Sequence, residues 1–159
     1  MYSLISKQKK RLSAASEHYG RLFENIPAPM FIYDAITYKF LATNKAAELQ
    51  YGYSKEELLT LTPANMRVKG KLESLHDANE RFAQKDFQSA CWLHEDKFGN
   101  SFYVCVYTCD TVFNGRPAKQ AMVVNIDEKV KAELMLKESR IRSQILTPEI
   151  KNISTPHLA

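Results

Sequence analysis

Between Leu12 and Ile26 the apolar positions Leu12, Ala15, Tyr19, Leu22, Phe23 and Ile26 recur at intervals of three and four. That is the spacing of one stripe on an α-helix, and Pro27 and Pro29 close it. The pattern then changes. Met30-Phe31-Ile32-Tyr33 and Tyr38-Lys39-Phe40-Leu41-Ala42-Thr43 are short runs rich in aromatic and branched side chains. With the turn-like Asp34-Ala35-Ile36-Thr37 between them, they predict an antiparallel hairpin. Asn44 stands as an N-cap before Lys45-Ala46-Ala47-Glu48-Leu49, and Gly52 ends that helix. Ser54 and Glu57 have the spacing of a capping box, and Thr62-Pro63 repeats a helix start. A longer helix is predicted over residues 71–85, with Leu72, Leu75, Asn79, Phe82 and Ala83 along one stripe.

Three further runs, residues 87–94, 102–113 and 118–126, read as strands. Asp96-Lys97-Phe98-Gly99-Asn100 parts the first two, and Asn114-Gly115, in which both residues tolerate positive φ, parts the second pair. In the middle run Phe102, Val104 and Val106 lie on one side and Tyr103, Cys105, Tyr107 and Cys109 on the other, so both faces are expected to be covered. Asp127 is expected to cap a helix over residues 128–144, where Val130, Leu134 and Ile141 keep heptad spacing while Lys137 and Gln144 break the seam. Beyond Thr147-Pro148 the polar tail is expected to fray. Two strands, several short helices, three strands and a closing helix together predict an α+β domain on a five-stranded antiparallel sheet.

A chain of 159 residues has room for one such domain and a terminal helix. With 45% hydrophobic residues, 5 glycines and 6 prolines, its composition is neither disordered nor fibrous. The formal charge is +4, and Lys7, Lys9, Lys10 and Arg11, with no acid among residues 1–11, account for all of it. The basicity belongs to a tail and not to a folded face, which argues against a nucleic-acid partner. No stretch approaches the roughly 18 uncharged apolar residues of a membrane span. Met1-Tyr2-Ser3-Leu4-Ile5-Ser6 followed by the four cations reverses the order of a secretory signal, so the chain is expected in the cytoplasm. Cys91, Cys105 and Cys109 are odd in number and form no Cys-x-x-Cys pair, so reduced strand thiols are expected, without a disulfide framework or a metal site. Cys105 and Cys109, four apart on one strand, stand ~13 Å apart and cannot bond each other.

The run Phe23-Glu24-Asn25-Ile26-Pro27, then Ile32-Tyr33-Asp34, Phe40-Leu41-Ala42-Thr43-Asn44-Lys45-Ala46-Ala47 and Tyr51-Gly52-Tyr53-Ser54-Lys55-Glu56-Glu57-Leu58 resembles the first half of a PAS domain. Trp92-Leu93-His94, Lys97-Phe98-Gly99-Asn100, Asn114-Gly115-Arg116 and Val124-Asn125-Ile126-Asp127-Glu128 resemble its last three strands and exit. On this resemblance residues 1–20 are a basic segment and amphipathic helix, 21–128 the PAS domain, and 129–159 a C-terminal signalling helix and polar tail. It implies a sensory or dimerisation module of bacterial signal transduction, with a two-component kinase or a cyclase as its downstream effector. Such a module is usually homodimeric and passes strain from a small core cavity into its C-terminal helix. Many members leave the last strand through Asp-Ile-Thr, where this chain has Asn125-Ile126-Asp127, so Asn125 and Asp127 mark the signal exit and Asp127 is read as a helix cap.

His18, His76, His94 and His157 fall in no catalytic motif, and the glycines are too dispersed for a phosphate-binding loop. No catalytic residue and no enzymatic activity are expected. His76-Asp77 on the predicted middle helix resembles the axial pair of haem-binding PAS domains, although Gln88 or Cys91 stands where those domains place a basic residue. Light-sensing flavin domains need a cysteine where this chain reads Thr60-Leu61-Thr62-Pro63-Ala64-Asn65-Met66-Arg67, which excludes that chemistry. For a small apolar or aromatic ligand the candidate lining is Phe31, Tyr33, Met66, Leu75, Phe82, Trp92, Val104 and Val124, each of which also serves as core. Trp92 is first a core anchor and secondly a stacking platform. The helical stripe Leu12, Tyr19, Leu22 and Phe23 is expected to pack on the open face of the sheet or on a partner in a homodimer. Three readings therefore stand: a ligand-coupled sensor, a pure protein-interaction module with a filled core, and a haem sensor through His76.

Overall fold

The computed structural model describes residues 2–68 and 88–154, with side chains over 3–68 and 88–146. Residues 1–125 form one compact unit and residues 126–159 a second. The first opens with helix α1 (Tyr2–Asn25), followed by strands β1 (Met30–Asp34) and β2 (Phe40–Thr43). Three short helices come next, α2 (Lys45–Tyr51), α3 (Lys55–Leu58) and α4 (Pro63–Met66). Strands β3 (Gln88–Glu95), β4 (Ser101–Phe113) and β5 (Arg116–Asn125) complete it. The second unit carries helix α5 (Asp127–Ser154). The predicted helix over residues 71–85 lies outside the described residues.

The five strands form one antiparallel sheet in the order β2-β1-β5-β4-β3. Chain-local turns set two of its registers. At β4–β5, Asn114 (φ 48°) and Gly115 (φ 74°) make the tight turn that the Asn-Gly pair predicts, which pairs Phe113 with Arg116 and carries the register on to Val104 and Asn125. At β3–β4 the Asp96 carboxylate accepts from the amides of Phe98 and Asn100, each at 2.9 Å, and seats Trp92 opposite Val104. The first hairpin turns on Asp34, whose carboxylate accepts from Ile36 N–H at 2.8 Å and Thr37 N–H at 3.0 Å. Those backbone donors hold its carboxyl below the usual carboxylate range.

Asn44 ties the elements together. Its Oδ1 caps α2 by accepting from Ala47 N–H at 3.1 Å and also accepts from Met30 N–H at 2.9 Å. Its Nδ2 donates to the carbonyls of Phe23, Ile26 and Ala28 at 3.0, 3.2 and 3.0 Å, so one buried amide joins the end of α1, the start of β1 and the start of α2. Gly52 closes α2 in the left-handed region (φ 75°). A Cβ there would also stand 2.6 Å from the Phe98 ring. Ser54 and Glu57 form the capping box of α3, as their spacing predicts. One face of the sheet packs on these short helices through Phe31, Phe40, Ala47, Tyr51, Leu58, Met66, Phe102, Val104, Ala121 and Val123.

Four expectations change. Helix α1 begins at Tyr2 and so includes Lys7 to Arg11, because Leu, Lys, Gln, Arg and Ala in this stretch are all good helix formers. Its residues Leu12 and Tyr19 are each 71% exposed and Leu22 is 51% exposed, so within one chain the stripe does not cover the sheet; Phe23 at its end is half-buried. Helix α5 continues past the expected end near Gln144 and through Thr147-Pro148 to Ser154, across the stretch expected to fray. A proline inside a helix removes one backbone donor and crowds the carbonyl four residues earlier, and helix on both sides carries the turn across this local cost. At the start of α5 the Ile126 carbonyl accepts from Val130 N–H, which puts Ile126 at the cap position and Asp127 in the first turn. There Asp127 pairs with Lys131 at 2.9 Å and meets the positive end of the helix dipole.

The largest correction is covalent. Cys91 and Cys105 face each other across β3 and β4 and are joined as a disulfide, and Cys109 alone is free and exposed. The odd count and the lack of a Cys-x-x-Cys pair point to reduced thiols, and the spacing along one strand excludes only a Cys105–Cys109 bond. The pairing signal lay in the hairpin, since Cys91 and Cys105 are each seven residues from Phe98 at its turn. No described helix is long and apolar enough to cross a membrane.

Candidate ligand-binding site

Alternation along the central strands places Phe31 and Tyr33 of β1, Ala90, Trp92 and His94 of β3, Val106 of β4 and Ala121 and Val123 of β5 on the face turned to the short helices. Between this face and α4 lies a cavity of about 340 Å³, with Phe40, Pro63, Met66, Arg67, Gln88, Ser89 and Thr108 completing the described wall. Its floor is apolar and well buried, with Phe31 and Phe40 stacked at 4.6 Å between ring centroids.

Polar groups gather on one side of the cavity. Arg67 leaves α4 in extended conformation (φ −87°, ψ 137°) and pairs with His94 on the edge of the sheet, and Val68 N–H donates to the Leu93 carbonyl at 2.9 Å. This short bridge lays the Arg67 guanidinium on the face of Trp92, 3.6 Å from the ring centroid. Arg67 is exposed at the mouth, and the apolar surroundings lower its pKa. Behind it His94 is buried, and desolvation, followed by the nearby Arg67 charge, pushes its pKa down to about 3. The ring is therefore neutral at ordinary pH. Burial raises the Tyr51 hydroxyl pKa, so Tyr51 keeps its proton and stands 2.7 Å from His94 Nδ1. Since this is the hydroxyl's only partner among the described residues, the O–H donates and His94 carries its own proton on Nε2. Tyr33 adds a second hydroxyl, its pKa raised by burial and opposed by the charges of Lys119 and Arg67. The described lining holds Arg67 as its formal cation and no carboxylate.

Of the predicted lining residues, Phe31, Tyr33, Met66 and Trp92 meet at this cavity. Val104 is fully buried beside it in the core. Val124 points to the opposite face of the sheet, where it lines an open depression of about 540 Å³ with Met30, Tyr107, Cys109, Gln120 and Met122. Leu75, Phe82 and the haem candidate His76 lie outside the described residues. Arg67 and His94 were not singled out as ligand contacts from sequence. His94 had a usable signal, since it is two residues from Trp92 on one strand and so shares its face. Arg67 had none, because its position depends on the bridge to β3. Among the described residues no group of three or more His, Cys, Asp or Glu side chains is placed to hold a metal ion.

The fold recurs in solved structures. One is the PAS domain of an HTR-like protein from Haloarcula marismortui, at 21% identity and TM-score 0.58, covering 76% of this chain and 99% of that one. The fold is that of a PAS domain. A PAS domain from a two-component sensor histidine kinase superposes with TM-score 0.55 at 20% identity, covering 73% of this chain and 98% of that one. A PAS domain from Colwellia psychrerythraea does so with TM-score 0.56 at 16% identity, covering 72% and 98%. No protein-family model matches the sequence, and no curated protein matches it. In this chain the short helices and the cavity lie on the sheet face that carries Trp92 and His94.

Proposed function

We propose that this PAS domain is the sensory module of a signal-transduction protein, in which a small ligand in the inner-face cavity biases the C-terminal helix α5. The cavity of about 340 Å³ carries this reading. A domain that served association alone would be expected to fill such a core at ordinary packing density, whereas roughly 300–1,000 Å³ is the range of small-molecule sites. Coupling follows the chain, because Ala121 and Val123 of β5 line the cavity and the same strand runs through Asn125 into Asp127 of α5. A ligand acts only through its differential affinity for two arrangements of that exit. The output is passed to a downstream kinase or cyclase effector, with homodimerisation through the exposed stripe of α1 supplying the partner subunit.

Thermal-shift screening of small neutral and charged aromatics, with native mass spectrometry of the purified protein, tests this. A native-state ligand raises the melting temperature and alters amide exchange along α5. If no compound does so, and Val106→Phe, which fills the cavity, leaves oligomeric state and partner binding unchanged, the domain is a pure interaction module. A haem Soret band after reconstitution that disappears in His76→Ala would instead assign the haem reading.

A further inference from the structure

Resting on that sensory reading, we propose that the cavity recognises a planar aromatic monocarboxylate, its carboxylate held by Arg67 and its ring set against Trp92, Phe31 and Phe40. Charge, geometry and wall chemistry each lead to this class.

The described wall holds one cation and no carboxylate, so a neutral or cationic ligand would leave Arg67 facing the ligand without an anion. The Arg67 guanidinium carbon lies over the Trp92 ring, 3.6 Å from its centroid. The N–H donors lie in the guanidinium plane, so this stacking leaves them available to grip two oxygens side by side, the geometry of a carboxylate. The bridge from Val68 to Leu93 holds Arg67 in place before any ligand arrives, which reduces the ordering cost of binding.

The neighbouring polar groups agree in sign. His94 is neutral, and with Tyr51 occupying Nδ1 it offers Nε2–H, a donor. The Tyr33 hydroxyl, next to Arg67 in the same wall, offers another. A carboxylate accepts from all three, whereas the remaining wall of Phe31, Phe40, Met66, Val106, Ala121 and Val123 offers only apolar surface to the rest of the ligand. A ligand that satisfies both halves has an anionic head on a flat apolar body.

The experiment uses the full chain with benzoate, its uncharged analogue benzamide, and acetate, which has the head without the ring. Trp92 is the chain's only tryptophan, so its emission reports the site directly, and the melting temperature is read alongside. Benzoate is expected to change Trp92 emission and raise the melting temperature. Benzamide and acetate are expected to bind at least about tenfold more weakly, the loss of one charge-assisted hydrogen-bond pair or of the aromatic contact. Arg67→Gln brings benzoate down to the benzamide level, and Arg67→Lys, which keeps the charge without the fork, recovers part of the difference. Far-UV circular dichroism of both variants checks that they fold. Equal binding of benzoate and benzamide, or benzoate binding unchanged by Arg67→Gln, overturns the carboxylate assignment and leaves the sensory cavity standing. Failure of benzoate at millimolar concentration overturns it as well, and failure of every aromatic in the screen together with a silent Val106→Phe takes the sensory reading with it.

Discussion

Asn44 makes five hydrogen bonds from one side chain of which 1% is exposed, spanning both oxygen lone pairs and the amide hydrogens. Its truncation would strip a helix cap and leave the Met30 amide and the end carbonyls of α1 short of partners in a dry setting. Asn44→Ala is therefore expected to destabilise the domain by about 2–4 kcal/mol, measured by urea unfolding, compared with about 1 kcal/mol for an ordinary exposed cap. His94 makes a second residue-scale prediction. Its folded pKa, about 3, lies below the ordinary 6.5, so the unfolded chain binds the extra proton between those values. Stability from this group is complete above pH 6.5 and is lost as pH falls through that window, with a slope of at most ~1.4 kcal/mol per pH unit. Unfolding measured from pH 7 to 5 should show the slope in the native protein and lose it in His94→Gln, above the range where carboxylates begin to titrate. The cap at Asn44 was legible as a local signal, since Asn before a helix-forming run is a start wherever it occurs. Its three bonds to Phe23, Ile26 and Ala28 were not, because nothing in residues 44–51 records where residues 23–28 pass.

At the scale of elements, the hairpins were readable because turn chemistry and strand alternation act within about a dozen residues. The Asn114-Gly115 turn is the clearest case, and the register from Phe113–Arg116 onward follows from it. The disulfide shows where such reading must include the partner strand. Cys91 and Cys105 are 14 residues apart in sequence, 4.1 Å apart at Cα and 1% exposed each. A crosslink closing a loop of this size is expected to contribute about 3 kcal/mol by restricting the unfolded chain. Chemical unfolding with and without a strong reductant should show a loss near that size, and the Cys91→Ala, Cys105→Ala double variant should show none on reduction. Because both sulfurs are buried, reduction of the folded protein should be slow and should accelerate at denaturant concentrations that open the β3–β4 hairpin. Helix α5 marks the opposite limit of local reading. Pro148 is a stop signal by propensity, yet the helix runs on to Ser154, since one missing donor is offset by cooperative turns on either side.

For the molecule as a whole, large apolar side chains are left exposed on both long helices: Leu4, Ile5, Leu12, Tyr19 and Leu22 on α1 are all exposed by half or more, as are Leu134, Met135, Leu136, Ile145 and Leu146 on α5. The five on α1 are the surface that the proposed homodimer would cover. Light scattering at high micromolar concentration should report a dimer, and Tyr19→Glu should shift it toward monomer without lowering the far-UV helical signal. A monomer in both would remove the dimer from the sensory scheme. Apolar periodicity, caps and turn residues determined, from the sequence by themselves, the α+β class and the order of the described elements, because each of those signals acts over a few neighbouring residues. Only the tertiary structure decided that Arg67 lies on Trp92, that His94 is neutral against Tyr51, that Val124 faces away from the cavity and that Cys91 meets Cys105. Each of those facts depends on two segments distant in sequence meeting across the sheet, and the free energy of such a meeting belongs to the pair and is written in neither segment alone.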